Sequence, residues 1–372
     1  MKSISEVEVK NKTVFLRTDF NVPMKDGKIV DDNRIDSALP TLNYLIDHKA
    51  KVILGTHIGR PDGVRSEGTS ILPIAKRLSK LLNRKILYVD EVTGPKVENA
   101  VGKLQPGDVL VLANLRWEKG EEENDPLFAR TLASYAELYI NDAFAVSHRA
   151  NASVEAITKY LPSYAGSLLD LEVTTLNIIF HAAKPPFVAI IGGAKIKDKA
   201  EMVKAMAERA DTVLIGGAVA NTFLMARGDN VGDSLVEPEM IDECRAILNK
   251  YSGKIVLPVD TIKTETAETF KILDIGPETV AKWRGIIGSA NTILWNGNLG
   301  YTEDDKYANG TLEIAKAIGE NNCGAKVVAG GDTGGFIDDA GLYKNFSFIS
   351  TGGGAALGFL AGEKLPGIEA LN

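Results

Sequence analysis

Short runs of apolar, β-branched residues recur along this chain, and amphipathic stretches of helical period lie between most of them. That alternation constrains the fold more than any other feature. In the first half the runs are Thr13–Leu16, Val52–Leu54, Ile86–Val89, Val109–Leu112 and Leu138–Ile140. In the second half they are Phe187–Ile191, Thr212–Ile215, Ile255–Leu257, Thr292–Leu294, Lys326–Val328 and Phe346–Ile349. Runs this short and this continuous read as strands buried on both faces. Leu72–Leu82 and Leu127–Ala136 are two of the intervening helical stretches. Strands alternating with helices imply parallel sheets with helices on both faces. At 372 residues the chain is long for one domain. The expected fold class is therefore α/β, with two doubly wound parallel-sheet domains.

The boundary is expected at Ser167–His181, whose apolar spacing suits a helix. Ser167, after Gly166, reads as its cap, and Lys184-Pro185-Pro186 ends it. One helix would then join the two halves, with a cleft between them. A net charge of −7 argues against wholesale nucleic-acid binding. The first residues lack the apolar core of a secretory signal, and no apolar run approaches a membrane span. Cys244 and Cys323 form no C-x-x-C pattern, which suits a reducing compartment and no structural zinc. The expected location is the cytoplasm.

Ligands of open parallel sheets bind beyond the carboxyl ends of the strands, so the residues just after each strand carry the functional signal. In the first half these are Arg17-Thr-Asp-Phe-Asn-Val-Pro23 followed by Arg34, Thr56-His-Ile-Gly-Arg-Pro61, Asn114-Leu-Arg-Trp117, and Asn141 through His148-Arg149. Any one of these is also what an ordinary surface or ion-paired arginine looks like. Four strand ends bearing Arg or His in an acidic chain point to an anion pocket, because Arg pairs bidentately with carboxylate and phosphate. Asp19 and Asn21 could hold a substrate hydroxyl or orient an arginine.

The second half differs. Its strand ends carry Gly192-Gly193 with Lys195 and Lys199, Gly216-Gly217, Trp295-Asn-Gly297, Gly330-Gly-Asp-Thr-Gly-Gly335, and Ser350-Thr-Gly-Gly-Gly354. A helix is expected from Ala194, with Lys195 and Lys199 one turn apart. Each Gly-Gly alone could be a tight strand-to-helix turn. Together, backbone amides, lysines and a well-placed Asp332 suit a nucleotide with magnesium. Neither a P-loop nor a well-formed G-x-G-x-x-G is present, which argues against a P-loop ATPase and a nicotinamide-dependent dehydrogenase.

Taken in order, RTDFNVP with Arg34, THIGRP, ANLRW, NDAF with SHRA, GGAKIKDK, WNG with its following glutamate, GGDT, STGGGA and the closing LPGIEAL make essentially the whole chain resemble the phosphoglycerate kinase family. The resemblance implies two Rossmann-like domains. Residues 1–166 would bind phosphoglycerate, 167–182 would be the interdomain helix, 183–359 would bind nucleotide, and 360–372 would return to the first domain. It implies a glycolytic and gluconeogenic phosphotransferase that moves a phosphoryl group reversibly between 1,3-bisphosphoglycerate and ADP, giving 3-phosphoglycerate and ATP. The enzyme would be a hinge-bending monomer that uses Mg2+ and has neither nucleic acid nor membrane as partner.

Carried over by position, Asp19, Phe20, Asn21, Arg34, His57, Ile58, Gly59, Arg60, Arg116 and Arg149 would meet the phosphoglycerate. Lys195 and Lys199 would meet the nucleotide phosphates, with Asn296, Gly330, Gly331 and Thr333 also on the nucleotide side. Glu303 would hold the ribose and Asp332 the magnesium. Arg34, Lys195 and the amides of Gly352, Gly353 and Gly354 would serve the transfer itself. The chain departs from the family pattern at Ala145, Asn151, Ala218, Asn298, Ala356 and Gly358. The alternative reading is a non-catalytic relic of the family that binds sugar phosphate or nucleotide.

Overall fold

The computed structural model describes residues 1–265, 268–322 and 324–372. Cys323 lies outside these residues. The chain forms two compact units, Met1–Thr174 with Lys364–Asn372, and Thr175–Glu363.

The first unit is built on a six-stranded sheet of β1 (Thr13–Thr18), β2 (Lys51–Gly55), β3 (Leu87–Tyr88), β4 (Val109–Val111), β5 (Leu138–Asp142) and β6 (Ser163–Ala165). Its order is β3-β4-β2-β1-β5-β6 and every pairing is parallel. Val14 and Leu16 of β1, Val52 and Leu54 of β2, and Ile35, Leu42 and Leu45 of the helix Asn33–Asp47 share one core. The helix contributes because its apolar residues recur every three or four positions, on one face. The C-terminal residues join this unit through Gly367, whose N–H donates to Ser147 O at 2.9 Å.

The second unit repeats the plan with β7 (Phe187–Ile191), β8 (Thr212–Ile215), β9 (Ile255–Val256), β10 (Thr292–Asn296), β11 (Ala325–Ala329) and β12 (Phe348–Ser350). Its order is β9-β8-β7-β10-β11-β12, again all parallel. Val188 and Ile190 pack with Ile293, Trp295, Val328 and Trp283. The expected pair of doubly wound sheets is therefore present.

Three elements lay outside the sequence expectation. They are β6, a hairpin of Thr261–Glu265 with Phe270–Ile275, and a two-residue hairpin at Met24–Lys25 with Lys28–Ile29. None shows a continuous apolar run. The helix Ser167–Ala182 is capped differently from the expectation. Ser167 N donates to Thr41 Oγ1 at 2.8 Å. The amides of Leu168 and Leu169 are taken by Asp142 Oδ1, at 2.9 and 3.2 Å. The cap is thus a carboxylate from the end of β5, which neutralises helix-terminal donors. Among the described residues no helix is long and apolar enough to cross a membrane.

Candidate functional site

In each sheet the chain order reverses at one place, and beyond the strand ends there a crevice opens for ligand. In the first unit the reversal lies between β1 and β5, in the second between β7 and β10. The residues after these strands are among those singled out from sequence, with others after β2, β4, β11 and β12.

In the first unit, Asp19 follows β1 and is buried. It is ion-paired with Arg34 Nη1, and its Oδ1 accepts from Asn21 N at 3.1 Å. His57, after β2, lies with Nδ1 3.6 Å from Asp19 Oδ1. Burial opposes ionisation of Asp19, but the adjacent His57 ring, the Arg34 and Arg17 guanidiniums and the Asn21 amide together hold the carboxyl below its usual value. Burial pushes the His57 imidazole well below its ordinary value, against the pull of Asp19 and with help from Arg17, Arg116 and Arg34. The ring is therefore neutral at pH 7.

Asn21 Oδ1 accepts from Gly59 N at 2.9 Å, and Arg116 Nη1 donates to Gly59 O at 2.8 Å. Both thus hold the loop that carries Arg60. Burial lowers the Arg116 guanidinium, opposed by Glu122 and aided by Arg17 and Arg149. Arg60 is exposed, while Arg149 is half-buried and donates through Nε to His148 Nε2 at 3.2 Å. The side chains of Phe20 and Ile58 both belong to the core. Only their backbone remains for a ligand, and Phe20 N is already given to Thr56 Oγ1 at 2.9 Å.

Two residues of this cluster, His148 and Asn114, stand in the stretches named above but were given no role of their own. His148 is lowered by burial and by Arg149, and it feels the charges of Asp19 and Arg116, which places it with them. Asn114 is fully buried and donates to Ile58 O and Thr69 O at 2.8 and 2.9 Å, stitching the loop after β2. An asparagine inside an arginine motif carries no separate sequence signal.

In the second unit the ends of β7 and β10 lock together. Gly192 N donates to Asn296 O at 2.8 Å and Gly193 N to Asn298 O at 2.7 Å. A Cβ on Gly192 would lie 2.3 Å from Asn298 O, so only glycine permits this approach. The helix expected from Ala194 begins at Ala200. Residues 194–199 form a turn instead, with the amides of Lys199 and Ala200 both on Ile196 O at 2.8 Å. The physical reason is that Ile196 is drawn into the core while Lys199 folds back. The Lys199 ammonium donates to Gly192 O and, at 2.6 Å, to Asn296 Oδ1. Burial lowers it to about 8, with Asp332 and Asp198 opposing. Lys195 is exposed, so the two lysines are not stacked on one helix face.

The other end of the Asn296 amide donates to Ala329 O, so both ends are engaged inside the protein. Gly330 takes φ +138° and leads into the helix Gly331–Asp339, whose first turn bears the exposed Asp332 and the buried Thr333. Among the described residues, Thr333 Oγ1 finds no hydrogen-bond partner. Glu303 is exposed on the loop after β10. Tyr301 N donates to Leu273 O at 2.8 Å and Gly310 N to Asp274 Oδ2 at 2.7 Å, which anchors that loop. Gly352 N is used by Ser350 Oγ at 3.0 Å. Gly353, at φ +48°, caps the helix Gly354–Ala361, in whose first turn Ala355 N donates to Gly352 O at 2.9 Å.

The comparisons agree along the full chain. The model of the phosphoglycerate kinase family matches residues 4–363. A curated phosphoglycerate kinase from Desulforapulum autotrophicum is 43% identical, over 100% of both chains. One from Moorella thermoacetica is 42% identical over 99% of this chain and 98% of its own. Among solved structures, phosphoglycerate kinase from Coxiella burnetii superposes with TM-score 0.88 at 36% identity, over 99% of this chain and 98% of its own. That from Pyrococcus horikoshii gives TM-score 0.90 at 34% identity, over 100% and 98%.

Proposed function

The chain belongs to the phosphoglycerate kinase family of phosphotransferases, and from that premise we propose that its two units carry the two halves of one transfer reaction. The first unit binds 3-phosphoglycerate or 1,3-bisphosphoglycerate at Asp19, Asn21, Arg34, His57, Arg60, Arg116 and Arg149. The second binds ATP or ADP at Lys195, Lys199, Glu303, Asp332 and the glycine-lined strand ends. The observation that carries this reading is the contrast between the two reversal points. One gathers Arg34, Arg116 and a neutral His57 around a buried carboxylate, and the other gathers lysines and glycine turns. The non-catalytic alternative is not favoured.

Transfer between an acyl phosphate and ADP needs no general base, because the attacking carboxylate is already ionised. Positioning and charge neutralisation carry the rate. Arg34 and Lys195 stabilise the equatorial oxygens of the phosphoryl group in transit, and the amides at Gly353 and Gly354 add donors. On this reading a hinge motion brings the half-sites together and expels water.

Asp332 would hold the magnesium. Among the described residues no cluster of three His, Cys, Asp or Glu could hold a metal by itself. One exposed carboxylate completed by phosphate oxygens suits this hard cation, and the unpartnered Thr333 hydroxyl lies next in sequence. When bound, the ion neutralises charge on the nucleotide phosphates. The same reading has the protein act as a cytoplasmic monomer on small molecules, with no nucleic acid or membrane partner. The test is ATP plus 3-phosphoglycerate and magnesium, with the acyl phosphate product coupled to NADH oxidation. No rate above background from folded protein refutes it.

A further inference from the structure

Behind the cationic cluster of the first unit lies a chain of groups shut off from solvent. Glu121, Ser153 and Arg17 are all fully buried. Ser153 meets both oxygens of Glu121, donating from N to Oε2 at 2.9 Å and from Oγ to Oε1 at 2.6 Å. Its hydroxyl proton is thereby spent, and the oxygen accepts from Arg17 Nε at 2.7 Å. Arg17 Nη2 lies 3.6 Å from Glu121 Oε1, and Nη1 donates to Thr18 O. The fork is thus held from behind, and Nη2 faces His57 Nδ1 at 3.5 Å.

A guanidinium has donors only and stays charged in proteins. The ring nitrogen that faces it must therefore present a lone pair. Asp19 Oδ1 competes for the same nitrogen from 3.6 Å, beyond hydrogen-bond reach, while its oxygens are taken by Asn21 N and Arg34. The proton of the neutral ring then sits on Nε2, across the ring from Arg17. A neutral Nε2–H imidazole can donate to an anionic oxygen without bringing a further positive charge beside Arg17, Arg34 and Arg116.

We propose that Glu121 and Ser153 are positioning residues that act through Arg17 to hold His57 as its neutral Nε2–H tautomer, ready to donate to an anionic substrate. The identity of that substrate rests on the phosphoglycerate reading above, and the tautomer does not. Removing the relay frees the Arg17 fork to turn toward Asp19, and Nδ1 then loses its donor.

The experiment is 15N spectroscopy of protein labelled at its four histidines, with His57 assigned by the resonance lost in His57→Gln. Wild type is expected to show a protonated Nε2 and a bare Nδ1 at pH 7.5, with the ring titrating below the ordinary imidazole range. Glu121→Gln and the smaller change Ser153→Ala are expected to shift the ring toward an Nδ1–H mixture. Both should raise KM for 3-phosphoglycerate about tenfold, the value of one lost hydrogen bond, with kcat and KM for ATP nearly unchanged. Ser153→Thr, which restores a hydroxyl, should restore both readings.

A wild-type ring protonated on Nδ1, or cationic at neutral pH, overturns the proposal. So does a folded Ser153→Ala protein whose His57 resonances and KM match wild type. If 3-phosphoglycerate fails to move the wild-type His57 resonances while the variants change the tautomer as expected, the relay stands and the phosphoglycerate reading fails.

Discussion

Asp142→Asn should change how stability depends on pH in a direction and size that the structure supplies. Asp142 is fully buried at the end of β5 and accepts the amides of Leu168 and Leu169. Burial pushes its carboxyl from 3.8 up to about 6, against the pull of Thr41 and those two amides. The folded state therefore holds a proton that the unfolded state has released. Stability from this group is full below the unfolded value and falls as pH rises from about 3.8 to about 6, then levels off. A shift of this size corresponds to about 3 kcal/mol. Asparagine keeps an acceptor for the helix amides but does not titrate.

The variant should thus gain on wild type by about 2.4 kcal/mol between pH 4 and pH 7.5, whatever constant offset its new NH2 group introduces. Asp274, also raised to about 6 by burial, titrates in both proteins and cancels from the difference. For a unit of this size the gain is about 5–10 °C of relative Tm. Thermal unfolding followed by circular dichroism at fixed ionic strength, in steps from pH 4 to 7.5, measures it. Parallel curves for the two proteins, or a difference that shrinks as pH rises, would refute the reasoning that this carboxylate is buried at a helix start with a raised pKa.

Lys195→Ala and Arg34→Ala should each lower kcat at least about a hundredfold, with both substrates still binding by titration; near-normal turnover in either sinks that role. Gly192→Ala should destabilise the second unit by about 1–3 kcal/mol and weaken nucleotide binding, since its Cβ would lie 2.3 Å from Asn298 O and 2.6 Å from Gly297 O. An alanine variant as stable as wild type in denaturant titration would show that those strand ends do not need glycine.

Much of the candidate site was legible because it hangs from strand ends. A run such as Phe187–Ile191 declares itself by β-branched continuity, and the rule that ligands lie beyond carboxyl ends then selects Gly192, Lys195 and Asp19 without any knowledge of packing. What could not be read was the direction each side chain takes once packed. Lys199 was expected one helical turn from Lys195, yet its ammonium turns inward to Gly192 O and Asn296 Oδ1. Phe20 and Ile58 sit inside binding motifs but face the core. Ser167 looked like a cap, yet Asp142, 25 positions earlier by sequence number, supplies it.

The sequence by itself determined the repeating strand–helix rhythm, the two parallel sheets, the family and the chemical contrast between an arginine-rich half and a glycine-rich half. These follow from local apolar periodicity and from which residues come just after each strand. Only the tertiary structure decided which charges are buried and with whom. Glu121, Ser153, Arg17 and His57 come from four separate stretches, and their contacts join residues 32, 40 and 136 positions apart. Desolvation and Coulomb coupling act through space, so no local pattern along the chain can carry them.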